Sequence, residues 1–507
     1  MAGVIITNSG TNNTPIWRST AEKAVSFPAL EGSATVDVLV IGGGITGITT
    51  AYLLKLEGKK VAVAEALTIG AGTTGATTAH FTQIGDMKYS KLIDNFGIEE
   101  TIHVQKSLAE AITLVESIVH GNNIRCGFRR LNAYHYTEKM TEVEEINAEY
   151  ESALSVGINA YLTDSVPLPF PVSLAIKYPA QAHFHTLSYL YTLAGLIPDS
   201  KNYIFENSRV INVEGHGPYT AYTEKGKIGA GRIIYATHTP LNINPVQLEM
   251  VPGRSYVTAV KLKDQDIEDA LFWDNEDPYH YICKYMHGRE DYVLIGGADH
   301  KQGEDIDENE YMHSIEKWAA QKFSVGSHQY RWSGQEFTSA DGLPYIGRSP
   351  FADNIYIATG FSGNGISYGI VAARLLTAML TGQQSRLEDI YSPSRFKPIA
   401  GYKTMFEENA NAVMSMAFER FNIREETEGS VKPGEGKVLK LDGRNTAIYK
   451  DLHGNIHKLS PYCRHAGCMV KWNDFEKSWD CQCHGSRFSP HGDIIEGPAL
   501  RRLEKIE

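Results

Sequence analysis

Val36-Asp37-Val38-Leu39-Val40-Ile41 is a nearly unbroken apolar run of strand length, which predicts a buried parallel strand. A glycine-rich turn follows, then a helical pattern to about Leu56, closed by Gly58. Residues 60–64 predict a second strand ending on Glu65. Far downstream, Gly363 and Gly365 precede a helical pattern over 366–380, ended by Gly382. Residues 401–422 read as helical, with Met405, Ala412, Met416 and Phe421 among the apolar positions. Glu425, Glu426 and Glu428 then run into Val431-Lys432-Pro433-Gly434, a loop signal. The longest apolar stretch, 36–54, contains four glycines and several threonines, so it reads as strand, turn and helix rather than a membrane span.

At 507 residues the chain predicts two or three domains. A net charge of −12 argues against nucleic acid as a partner and permits docking to a basic protein. Residues 1–14 are polar and lack the charged and apolar regions of a secretory signal. The expected location is cytoplasmic, with no transmembrane segment; peripheral association with a membrane stays open. Cys126 and Cys283 stand apart and read as ordinary thiols, whereas the other four cysteines crowd together near residue 470.

The first strand–turn–helix carries G-x-G-x-x-G at Gly42, Gly44 and Gly47, with a second strand and Glu65 after it. This is a dinucleotide fingerprint in its required context. The glycines let a pyrophosphate approach the helix N-terminus, and Glu65 is placed for ribose hydroxyls. The fingerprint alone does not separate FAD from NAD.

The second chemical signal is Cys463-Arg464-His465 followed by Cys481-Gln482-Cys483-His484. Two thiolates and two imidazoles in paired short loops are the ligand set of a Rieske [2Fe–2S] centre. Cys463 and Cys481 would hold one iron, His465 and His484 the other. The same residue types suit zinc, but zinc fingers favour other spacings. Histidine ligation raises the reduction potential above that of an all-cysteine cluster.

Three further segments carry a family resemblance: Gly70-Ala71-Gly72-Thr73-Thr74-Gly75-Ala76-Thr77-Thr78, Ile233-Ile234-Tyr235-Ala236-Thr237-His238, and Asp341-Gly342-Leu343-Pro344 running through Thr359-Gly360-Phe361-Ser362-Gly363-Asn364-Gly365. With the fingerprint they resemble the D-amino-acid oxidase superfamily, nearest to glycine and sarcosine oxidases, over about residues 34–385. With the cysteine–histidine loops, the whole resembles bacterial FAD-dependent oxidoreductases with a C-terminal Rieske domain. The resemblance implies FAD contacts at Gly42, Gly44, Ile45, Thr46, Gly47, Glu65, Gly72, Thr73, Thr74, Thr78, Val210, Ala236, Thr237, Gly360, Phe361, Gly363, Gly365 and Ile366. It implies a disulfide between Cys468 and Cys483. Ser486 keeps a hydroxyl that in relatives bonds cluster or cysteine sulfur, while Phe488 replaces a tyrosine that does the same, so an intermediate potential is expected.

The departures from the oxidases are informative. Gln335 stands where some carry a cysteine bonded to flavin, so FAD is expected to be non-covalent. Ser367 replaces a lysine that grips the substrate carboxylate. Leu294 aligns with a lysine that promotes reaction with oxygen, which suits a dehydrogenase. Candidate pocket residues are Tyr134, His135, His185, Arg254, Tyr256, Tyr281 and Arg331; His80 is placed to approach the flavin.

The expected fold is an α/β Rossmann-type FAD-binding domain with an inserted antiparallel-sheet substrate part, plus a small all-β Rieske domain. The layout is a 1–33 extension and a 34–400 oxidoreductase domain, then a 401–422 linker and a 423–507 cluster domain. Within the oxidoreductase, 34–95, 175–250 and 331–390 would bind FAD; 96–174 and 251–330 would form the substrate part. Only twenty-three residues follow His484, too few for an oxygenase iron domain. The expected function is oxidation of an amine- or amino-acid-like small molecule, with electrons passing from FAD through the cluster to an external one-electron acceptor, a protein or a quinone. A flavin oxidase with the cluster as redox sensor, and a non-catalytic electron-transfer protein, are the alternatives.

Overall fold

The computed structural model describes residues 12–22, 26–302, 307–395, 423 and 425–506. The predicted linker helix over 401–422 lies outside the described residues.

The strand Gly32–Ile41 lies at the centre of the first sheet, parallel to Val61–Ala64 on one side and Gly226–Tyr235 on the other. Tyr203–Phe205 and Ile355–Thr359 extend the parallel order outward, and Tyr345–Arg348 closes an edge antiparallel. Val38, Leu39 and Val40 are fully buried, as a strand covered on both faces requires. The helices Ile45–Leu56 and Gly365–Thr381 pack together on this sheet. Their contact is close: a Cβ on Gly369 would stand 2.8 Å from Thr46 Oγ1. Gly382, at φ 81°, ends the second helix in the left-handed conformation that glycine tolerates.

The second sheet has eight strands in the order Val325–Ser339, Met250–Leu262, Glu290–Lys301, His280–His287, Leu271–Asp274, Arg129–Thr137, Leu174–His183, Tyr161–Thr163. It is antiparallel except where Leu271–Asp274 meets Arg129–Thr137 in parallel. The two strands come from separate insertions, so no hairpin fixes their relative direction. Leu174–His183, expected at the start of a nucleotide-binding part, instead pairs with Arg129–Thr137 in this sheet. That pairing spans some forty residues of sequence, beyond the reach of a local pattern.

Residues 12–22 of the N-terminal extension pack against the larger domain. The short helix Ile16–Thr20 buries Trp17 completely, and the indole N–H donates to the Thr77 carbonyl.

The C-terminal domain is all β. Gly436–Leu441, Arg444–Lys450 and Ile456–Leu459 form one sheet, and Val470–Asn473, Ser478–Cys481, Arg487–Phe488 and Ile494–Glu496 form the other. Trp479, Phe488, Leu459 and Leu503 fill its core. Among the described residues no helix is long and apolar enough to cross a membrane.

Candidate functional site

A single cavity of about 490 Å³ runs from the glycine-rich turn to the second sheet. Ile41, Ala64 and Ala236 mark the carboxyl ends of the central parallel strands, and all three line it. Ligands bind at this place in open α/β sheets. Both helix N-termini open onto it, through residues 43–46 and 362–366.

The backbone fits a dinucleotide. Gly42, at φ 111°, lies against Ala236, and a Cβ there would stand 2.3 Å from the Ala236 carbonyl oxygen. A Cβ on Gly47 would stand 2.0 Å from the Gly42 oxygen. Gly72 and Gly365 have open space where a Cβ would point, which leaves their backbone free to be approached. Glu65 accepts N–H bonds from Gly43 and Leu67, each at 2.7 Å. Burial raises its carboxyl above the usual range, and Arg209 opposes the rise. Thr74 Oγ1 accepts from the Ile45 amide at 3.1 Å. Of the positions assigned to FAD, Gly47 and Gly360 stand behind the wall; the others line the cavity.

The second sheet supplies the remaining wall. His135 and Tyr281 line it, joined by Trp273, Tyr279, Ser255 and Glu336. The other pocket candidates do not, and strand alternation explains three of them. His135 pairs with Trp273 on the cavity face, and their rings stack at 5.7 Å. Tyr134 therefore points to the opposite face, stacked on Phe272. Ser255 and Val257 line the cavity, so Arg254 and Tyr256 face away from it. Arg331 is held by Glu316 at 2.5 Å. His185 caps the helix Thr186–Gly195, accepting from Ser188 N, and packs on Trp17. Leu294 is fully buried in the core and does not line the cavity. Ser367 is equally buried and donates to the Thr82 carbonyl at 2.9 Å. His80 does line the cavity, and burial depresses it to about 4.

The proposed cluster ligands meet in two pairs across the two loops, with the Cys463 and Cys481 thiols hydrogen-bonded to each other. The His465 and His484 rings lie 4.8 Å apart at 82°. His484 Nδ1 is buried with no hydrogen-bond partner, an orphaned nitrogen that a metal would satisfy. Burial, with His465 beside it, lowers His484 to about 4, so the ring is neutral as ligation requires. Cys463 is drawn down to about 7 by the Cys481 thiol, helped by the His465 and Ala466 amides and the Ser486 hydroxyl. The residues present fit the cluster.

Cys468 and Cys483, the expected disulfide pair, stand side by side as thiols. Their sulfurs and that of Cys481 lie within 4.8 Å of one another. The pair is within reach, and the bond would require removal of two electrons from the thiols.

The two sites share a wall. Ile495, Glu496, Gly497 and Leu500 of the C-terminal domain line the cofactor cavity. His465 Nε2 lies 3.1 Å from the Asn242 carbonyl oxygen of the larger domain. Gln335 donates to the Gly485 carbonyl at 2.8 Å. Arg254, 1% exposed, reaches across to Glu476 at 2.6 Å and Asp480 at 3.8 Å. Arg487 completes the network with Glu476, Asp480 and Glu496. Sequence reasoning missed this role for Arg254, and it missed Asp86, Glu336 and Trp273 as cavity residues. Each lies outside any local motif, although Glu336 adjoins the aligned Gln335.

Fold and site together define a flavin-dependent oxidoreductase carrying an iron–sulfur domain. Residues 37–379 match the FAD dependent oxidoreductase family and 423–507 match the Rieske [2Fe-2S] domain, and the chain belongs to that oxidoreductase family. It is 32% identical over 495 residues, 97% of each chain, to the Bacillus subtilis protein YhfW, which is named for a Rieske 2Fe-2S iron–sulfur centre. It is 24% identical to the gamma-glutamylputrescine oxidoreductase of Escherichia coli, over 77% of this chain and 93% of that one. The structure of glycine oxidase from Geobacillus kaustophilus superposes with a TM-score of 0.60 at 15% identity, covering 72% of this chain and all of the other. The family binds FAD, and the C-terminal domain binds a [2Fe–2S] cluster.

Proposed function

We propose that the protein is a dehydrogenase that oxidises an amine- or amino-acid-like small molecule and delivers the electrons through its own cluster to an external one-electron acceptor. The observation that carries this reading is the shared wall: Gln335 and Phe337 line the cofactor cavity and also touch Gly485, next to the ligand His484. FAD would accept a hydride, and the cluster would carry electrons singly. The chain's own part is positional. Gly42, Gly44 and the two helix N-termini hold the cofactor, and the helix ends favour negative charge there. Gln335, a carboxamide, offers no thiol for attachment, which supports non-covalent FAD. Asn242 orients His465 through its carbonyl, and Arg254 pins the cluster domain over the cavity.

The test is rapid mixing of the anaerobic holoprotein with amines and amino acids, following flavin absorbance and cluster EPR together. Changing His465 or His484 should leave flavin bleaching intact and abolish turnover with a one-electron acceptor. Unchanged turnover would refute the relay. Stoichiometric oxygen consumption with a silent cluster would make the protein an oxidase, and no bleaching by any organic substrate would make it a carrier.

A further inference from the structure

The end of the cavity remote from the glycine turn is acidic and aromatic. Glu336 lines it and has no hydrogen-bond or cation partner among the described residues. Asp86 lines it too, its carboxylate accepting the Gly363 amide. Asp299 stands nearby, its carboxyl hydrogen-bonded by Ser255 and Tyr279 while Oδ1 itself is buried and unpaired. Burial raises all three acids; Asp299 adds to the rise of the other two. A cation entering this end of the cavity would meet carboxyl groups that it draws into their charged form.

Among the described residues no free lysine or arginine answers these acids. Among the described residues the lysines and arginines lining the cavity are Lys88 and Arg209. Lys88 is paired with Glu145 and bonded to Asn275. Arg209 interacts with Glu65 at the dinucleotide end and donates to the Ile494 carbonyl. Arg254 and Arg331 are engaged elsewhere, and Ser367 is committed to Thr82. His80 and His135, both lowered to about 4 by burial, are neutral. Trp273, Tyr279 and Tyr281 add aromatic surface, with the two tyrosine rings 5.7 Å apart and tilted by 44°. Aromatic faces attract ammonium groups.

We propose that this end of the cavity, through Glu336, Asp86 and the aromatic wall, takes a cationic amine that bears no carboxylate beside the reacting carbon. The inference rests on the proposed function, in which an organic molecule in this cavity is the reductant. The ammonium first gives one proton to a carboxylate. The C–H bond next to nitrogen then breaks, the hydrogen leaves with its electron pair as hydride to FAD, and the nitrogen lone pair closes the C=N bond of an iminium. Water hydrolyses the iminium to a carbonyl compound and the released amine or ammonia. An α-carboxylate would face Glu336 and Asp86 with no free cation to hold it.

The test compares n-butylamine and 1,4-diaminobutane with norvaline, which is butylamine bearing an α-carboxylate. Binding to the holoprotein is read from perturbation of the flavin spectrum, and reaction from anaerobic bleaching. The amines should bind at least about tenfold tighter than norvaline. Glu336→Gln should weaken amine binding by about tenfold with FAD content unchanged, and Asp86→Asn serves as the second variant if the first does not fold. Norvaline binding as tightly as butylamine, no binding by either amine, or amine binding unaffected in both variants would overturn the inference. Charge-selective binding without bleaching would instead refute the proposed function and leave the amine site standing.

Discussion

Gln335 and Gly485 are joined across the domain boundary by a 2.8 Å hydrogen bond, and no side chain fits between them. A Cβ on Gly485 would stand 2.7 Å from Gln335 Nε2 and 2.8 Å from Phe337 Cζ, and Gly485 sits at φ 76°. Gly485→Ala is therefore expected to displace the cluster loop at a cost of about 1–3 kcal/mol. Stopped-flow spectroscopy should find flavin reduction unchanged and cluster reduction slowed. Equal cluster kinetics would remove this contact from the relay.

Arg254 is the buried partner of Glu476 and Asp480, and Arg487 alone cannot replace it. Arg254→Ala should destabilise the protein by about 3–5 kcal/mol, because acids would remain buried with too little positive charge. Chemical denaturation measures this. Pairing the change with Glu476→Gln should recover part of the loss, and full additivity would deny the coupling.

Gly369 lets the two cofactor-facing helices touch at Thr46 and Ile45. Gly369→Ala should separate their N-termini, costing about 1–3 kcal/mol of stability and weakening FAD binding. Fluorescence titration of the apoprotein with FAD reads the second effect.

Asp86 is raised to about 7 and Asp299 to about 6, in both cases chiefly by burial. Raised acids hold protons longer in the fold than in the unfolded chain. Their contribution favours the fold at low pH and is lost progressively as pH rises from about 4 to about 6 to 7. Binding of a cation runs the other way, because it expels those protons. Amine affinity should climb across about pH 6 to 7, by up to about tenfold per unit for each proton released. His80 and His135 titrate near 4 and stay neutral throughout this window. Isothermal titration at several pH values checks this, and a flat profile in Asp86→Asn would assign the slope.

Ser486 gives its hydroxyl to the Cys463 sulfur. Ser486→Ala should lower the cluster midpoint potential, since one donor stabilising the reduced, more negative cluster is lost. An EPR-monitored redox titration measures the shift.

The legible features were those fixed within a few residues. Gly42 and Gly47 announce themselves because their backbone neighbours leave no room for a Cβ. The cysteine–histidine pairs are legible because each loop carries its own ligands. The helix stop at Gly382 follows from its left-handed conformation. Tyr134 and Tyr256 misled for an equally physical reason. An aromatic residue in a strand shows no local sign of which face meets a cavity, and the bulge between Arg254 and Tyr256 further disturbs the count.

By itself the sequence determined a dinucleotide site, a two-histidine cluster and the family they imply, since these depend on short backbone segments and ligand identity. Only the tertiary structure decided that the sites share one wall, that Arg254 serves the domain junction, and that Asp86 and Glu336 face one cavity. Those relations join segments hundreds of residues apart, and only packing of the two sheets and the cluster domain sets their distances.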